Sequence, residues 1–97
     1  MAKEKTGIFV YNRGMYVKSF FLELLAAKSL RESRRISVRL AWRESGVSKR
    51  VAYSMANNAM REYPADALVK LCRYFECDVG ALLALADDHG DTLVLPE

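Results

Sequence analysis

The sequence predicts an all-α domain of five short helices, with short β-strands at its N- and C-terminal ends. Three observations predict it. Apolar residues recur at helical spacing from Val17 onward, residues that start helices stand in front of three of the periodic runs, and short β-branched or aromatic runs are confined to the two ends. The 97 residues are one domain's worth of chain. Their 52% hydrophobic and 28% charged content is the balance of a single core with a polar surface. One domain is expected over residues 1–97, with its core at about 16–86 and terminal extensions at 1–15 and 87–97.

The elements follow in order. Ile8 to Tyr11 is a four-residue strand before the turn Asn12-Arg13-Gly14, and Met15 to Val17 would be the second arm of a hairpin. Val17, Phe20, Phe21, Leu24 and Leu25 then make one face of a helix over Tyr16 to Ser29, with Lys18, Glu23 and Lys28 off that face. Leu30 to Arg35 is a basic connector. Ser37 caps a second helix whose inner face is Val38, Ala41, Trp42 and Ser45, and Gly46 ends it. Gly46-Val47-Ser48 is a turn, and Ser48 caps a third helix, Lys49 to Asn57, with Val51, Ala52 and Met55 inward. Asn57-Asn58 ends it, because asparagine tolerates the left-handed conformation. Pro64 and Asp66 open a fourth helix with Leu68, Leu71, Cys72 and Phe75 on one face. Val79, Leu82, Leu83 and Ala86 mark a fifth that ends before Asp87, and Thr92 to Leu95 is a terminal strand.

Charge is unevenly divided. The net value is +3, yet residues 1–61 carry thirteen Lys or Arg against four acids, and residues 62–97 carry two against eight. Lys28 to Arg50 alone holds eight basic residues opposed by Glu32 and Glu44. Such a half-molecule is the electrostatic footprint of a polyanion-binding surface. Enzymatic chemistry has little to work with. The single His89 and scattered glycines build neither a nucleophilic triad nor a phosphate loop, so no enzyme is expected. Cys72 and Cys77 with His89 fall short of the four ligands of a structural zinc site, so neither metal nor cofactor is expected. Cys72 reads as a small core residue on its helix and Cys77 as a cap on the turn that follows. No apolar run reaches membrane-spanning length and no leader pattern opens the chain, which predicts a cytoplasmic protein.

Two stretches then carry a family resemblance. Ile36-Ser37-Val38-Arg39-Leu40-Ala41-Trp42-Arg43-Glu44-Ser45-Gly46-Val47-Ser48-Lys49-Arg50 resembles the helix-turn-helix of the lambda-repressor and Cro type (Xre-like) family, in which Gly-Val-Ser and a basic residue open the recognition helix. Leu68 to Leu83 is similar to that family's fourth helix, turn and fifth helix. The likeness covers residues 16–86 and sets the helix-turn-helix at about 37–57.

The resemblance implies a double-stranded DNA partner and a set of contacts. Ser48 would meet phosphate, Lys49, Arg50, Tyr53 and Ser54 would face the groove, and Asn57 would lie near the backbone at the far end. Arg39, Arg34 and Arg35 would hold phosphates, with Arg50 suited to a bidentate guanine contact. Lys49 and Arg50 also make physical sense there, since cations in a first turn oppose the helix dipole unless an anion compensates them. The sequence departs from the family at Ala41-Trp42 and at Ala52, where Leu-Ala in mid-helix and a β-branched residue are usual. Trp42 is therefore expected to be largely buried against the third helix near Ala52, the alternative being that it opens outward and splays the helix pair. The implied function is sequence-specific DNA binding by a homodimeric transcriptional regulator of bacterial, archaeal or phage origin. Two other readings compete with it. One is an antitoxin whose acidic C-terminal part holds a toxin; the other is a protein-interaction module that no longer reads DNA.

Overall fold

The computed structural model describes residues 15–87, so the strands expected at Ile8–Tyr11 and Thr92–Leu95 lie outside the described residues. Five helices follow a first strand and precede a second. In chain order they are β1 (Tyr16–Ser19), α1 (Phe21–Glu32), α2 (Val38–Ser45), α3 (Lys49–Ala56), α4 (Ala65–Phe75), α5 (Val79–Leu82) and β2 (Leu83–Ala86). The all-α class with short strands at both ends holds.

β2 and the end of β1 occupy residues expected to be helical, whereas Tyr16 and Val17 fall in the strand also expected at Met15 to Val17. β1 and β2 pair antiparallel in the register Tyr16↔Ala86, Val17↔Leu85, Lys18↔Ala84 and Ser19↔Leu83. The first helix therefore begins at Phe21, and the fifth is one turn long. Local spacing fitted a helix at both places, but the two segments find each other across the domain, and cross-strand hydrogen bonds displace helical ones. The junction is well satisfied. Phe20 N–H donates to the Leu82 carbonyl at 2.8 Å, Phe21 N–H to Ser19 Oγ at 3.0 Å, and Ser19 N–H to Asn58 Oδ1 at 2.6 Å. Asn58 presents that oxygen from a left-handed backbone position (φ 56°) just beyond α3.

The core lies where α1 to α5 converge. Phe21, Leu25, Ile36, Ala41, Val47, Val51, Ala52, Met55, Met60, Ala67, Leu71, Phe75 and Leu82 form one buried cluster. Phe21 meets Phe75 edge-on, with ring centroids 5.6 Å apart, the arrangement that ring quadrupoles favour. Trp42 packs against the edge of this cluster, partly buried, and its indole nitrogen is enclosed without a hydrogen-bond partner. Ala52 is fully buried.

One polar network joins the helices at the surface. Lys28, placed on the solvent side by its spacing, is only 6% exposed. Its ammonium donates to the Tyr74 carbonyl at 3.0 Å, lies 4.5 Å from the Tyr74 ring centre, and pairs with Glu32 at 2.7 Å. Tyr74 is in the last turn of α4, where unpaired carbonyls and the helix dipole favour a cation. The network continues from Glu32 through Arg34 to Glu44 on α2 and back to the Tyr74 hydroxyl.

Candidate nucleic-acid interface

The sequence between Ser37 and Asn58 contains the signals that build a helix-turn-helix. Ser37 Oγ accepts from Leu40 N–H and Ser48 Oγ from Val51 N–H, both at 3.1 Å, so each helix starts on a serine cap. Between them Gly46 adopts φ 91°, a conformation that costs side-chain-bearing residues. Its amide donates to the Trp42 carbonyl at 3.2 Å, and its own carbonyl accepts from Lys70 Nζ at 3.4 Å. Val47 is buried and anchors the turn to the core. These features fix the direction in which α3 leaves α2.

α3 separates its residues cleanly. Val51, Ala52 and Met55 are buried, whereas Lys49, Arg50, Tyr53 and, just past the helix, Asn57 are exposed. Spacings of three and four place these exposed residues on one outward stripe. Ser54 is half-buried beside it. Arg50 and Ser54 line one wall of an open cleft, and Met60, Arg61, Glu62 and Pro64 of the loop leading to α4 line the other. The first amides of α3 have no intrahelical acceptor and point outward with the positive end of the helix dipole. Ser48 oxygen is engaged by the cap, which leaves its hydroxyl proton free to be donated.

The other expected contact residues divide. Arg35 is exposed in the connector and Arg39 in the first turn of α2. Among the described residues no carboxylate pairs with Arg35, Arg39, Lys49 or Arg50. Arg34 departs from the open connector expected for it. Its Nη1 and Nη2 each donate to Glu44 at 2.8 Å, and its Nε donates to Glu32 at 2.8 Å. The Arg34 hydrogen bonds, then that of Tyr74, hold the Glu44 carboxyl down to about 2. Lys28 and then Arg34 lower Glu32. Burial first, and Glu44 second, push the Tyr74 hydroxyl up. Arg34 thus braces the last turn of α2 against α1. Arg61 is the wall residue that the sequence reading passed over; it lies outside both helices of the motif, and only the cleft brings it beside Arg50.

A capped helix pair joined by a left-handed glycine, with a basic stripe on the second helix, is the geometry of a DNA-reading helix-turn-helix. Residues 27–88 match the family model of the Cro/C1-type HTH DNA-binding domain. The chain belongs to this Cro/C1-type family. The match contains α2, α3, α4, α5 and β2 entire, together with the end of α1. No curated protein and no solved structure matches the chain. Among the described residues no helix is long and apolar enough to cross a membrane, and no three His, Cys, Asp or Glu residues gather as a metal site.

Proposed function

We propose that this Cro/C1-type domain is a sequence-specific transcriptional regulator in the cytoplasm that binds double-stranded DNA as a homodimer. The observation that carries the reading is the outward stripe of α3. Lys49, Arg50, Tyr53 and Asn57 stand together on the face opposite Val51, Ala52 and Met55, and Arg35 and Arg39 are exposed in the segment that precedes it. In this reading α3 enters the major groove, Arg50 addresses a guanine, and Lys49 and Tyr53 contact neighbouring base edges. Ser48, Arg35, Arg39 and Asn57 meet the phosphates, which position the protein without reading sequence. Ser54 and Arg61 border the groove-facing surface. Homodimerisation follows from reach. An eight-residue helix is about 12 Å long and covers only part of one helical turn of DNA. Two copies on half-sites about 34 Å apart supply the rest of a specific site.

The test is selection of bound duplexes from a random pool, followed by titration of the selected and a scrambled duplex at several salt concentrations. A two-fold symmetric consensus is expected. Arg50→Ala should lose about 1–3 kcal/mol of discrimination at one position of each half-site. An unenriched pool, or an Arg50→Ala variant that binds selected and scrambled duplexes with equally reduced affinity, overturns the assignment of α3 as the reading helix.

A further inference from the structure

The two cysteines play no part in the DNA-binding face, yet the fold brings them together. α4 ends at Phe75, and Glu76 takes a left-handed conformation with φ 58°. The next residue, Cys77, turns its N–H back to the carbonyl of Cys72 at 3.0 Å. This is the six-to-one hydrogen bond of a Schellman helix end. Its first and last residues are the pair whose side chains characteristically touch. Here both are cysteines. Each is free and half-buried, and both line one open cleft beside Leu68, Val69 and Val79. An N–H of residue i+5 bonded to the carbonyl of residue i draws the α-carbons toward the roughly 4.4–6.8 Å that a disulfide requires.

We propose that Cys72 and Cys77 form a reversible intramolecular disulfide when the protein meets a hydroperoxide. Peroxide can reach the thiols through the cleft. Burial, and then the adjacent Cys72 sulfur, push the Cys77 thiol up, so Cys77 rests protonated and Cys72 is the attacking sulfur. The Cys72 thiolate attacks one oxygen of hydrogen peroxide and the O–O bond breaks. A sulfenic acid forms on Cys72, and the other oxygen leaves as water after taking a proton. Cys77 sulfur then displaces the sulfenic hydroxyl, which leaves as a second water with the thiol proton. Two thiols have lost two electrons and two protons, and the peroxide has become two waters. The bond closes on a contact that the backbone already makes, so it ties the end of α4 to the start of α5 without refolding either. In a reducing compartment the pair rests as the dithiol.

The chain contains only these two cysteines, which makes the test direct. The full-length protein is treated with graded hydrogen peroxide, then assayed by thiol titration, intact mass and non-reducing electrophoresis, with dithiothreitol to reverse it. Both thiols should vanish together, with the mass down by about 2 Da and a monomeric covalent state. The rate should not depend on protein concentration, and the oxidised chain should melt a few degrees higher. Cys77→Ser should instead stop at the sulfenic acid, trapped by dimedone, or proceed to the sulfinic acid. If Cys77→Ser does not fold, the parent's mass and concentration dependence decide alone. Cross-linked dimers growing with protein concentration overturn the proposal. So does a parent whose mass rises by about 32 Da, or whose thiols survive doses that oxidise a denatured control.

Discussion

Glu44 offers a test of whether the connector between α1 and α2 is held by charge. Its carboxylate accepts two bonds from Arg34 at 2.8 Å and one from the Tyr74 hydroxyl at 2.6 Å. Together they hold its titration at about 2, against 4.5 for the unperturbed group. At 1.36 kcal/mol per unit that difference sets a ceiling of about 3 kcal/mol. The Arg34 and Glu44 side chains are 40% and 30% exposed, however, and solvent screening reduces the stabilisation to about 1 kcal/mol. Because the folded state lowers the titration, the stabilisation is complete above the unfolded value near 4.5 and disappears as pH falls through about 2. Glu44→Gln keeps the shape and removes the charge. Urea melts of parent and variant should differ by about 1 kcal/mol at neutral pH. The gap should stay constant down to about pH 5, then narrow and close toward pH 2. High salt should narrow the gap at every pH. Curves that stay parallel through the acid range would refute the reasoning, since a constant offset is packing rather than charge.

The remaining predictions concern neighbouring residues. Arg35→Ala should weaken selected and scrambled duplexes alike and reduce the salt dependence of binding by about one unit. Arg34→Ala should lower thermal stability and leave the salt slope within half a unit of the parent; a full-unit change would show that Arg34 leaves its carboxylates for DNA. Lys28→Met, close in shape, leaves the Tyr74 carbonyl without its donor and should cost about 1–3 kcal/mol in urea melts. Half-buried Trp42 should cost about 2–3 kcal/mol when truncated to alanine, below the 3–5 kcal/mol of a wholly buried aromatic. Trp42→Phe should be nearly neutral, because losing the enclosed, unpartnered indole N–H offsets lost contact area.

The fold was legible wherever a helix declares itself locally. Within eight residues of α3, three buried positions and the outward stripe separate at helical spacing, and a serine marks its start, so the inner face and the candidate reading face were both visible in the sequence. α2 was readable for the same reason, with Ser37 at one end and Gly46 at the other. β2, the end of β1 and their pairing were not. Val79, Leu82, Leu83 and Ala86 have helical spacing, but a short apolar run fits either structure. What decides β2 is its pairing with β1 at the opposite end of the chain. Helix ends were obscure where a residue other than glycine takes the left-handed turn, as Ser33 and Glu76 do. Lys28 was misplaced because no local rule anticipates a lysine buried beneath the last turn of another helix.

The charge pattern shows most clearly what counting could and could not give. Lys28 to Arg50 contains two acids, and from the sequence alone either could have neutralised any of the eight cations around it. Folding assigns both. Glu32 and Glu44 are taken up by Lys28 and Arg34, one of them buried and the other bracing α2. Arg31, Arg35, Arg39, Arg43, Lys49 and Arg50 are left without a carboxylate among the described residues. The structural cost of holding α1, α2 and α4 together is therefore met by acids that would otherwise screen the outward surface. Like charges on the surface without internal compensation repel one another and destabilise the domain by itself. An external polyanion removes that repulsion, and it gains the release of its own counterions as well. The same pairing that makes the helix-turn-helix rigid thus leaves its positive charge facing outward.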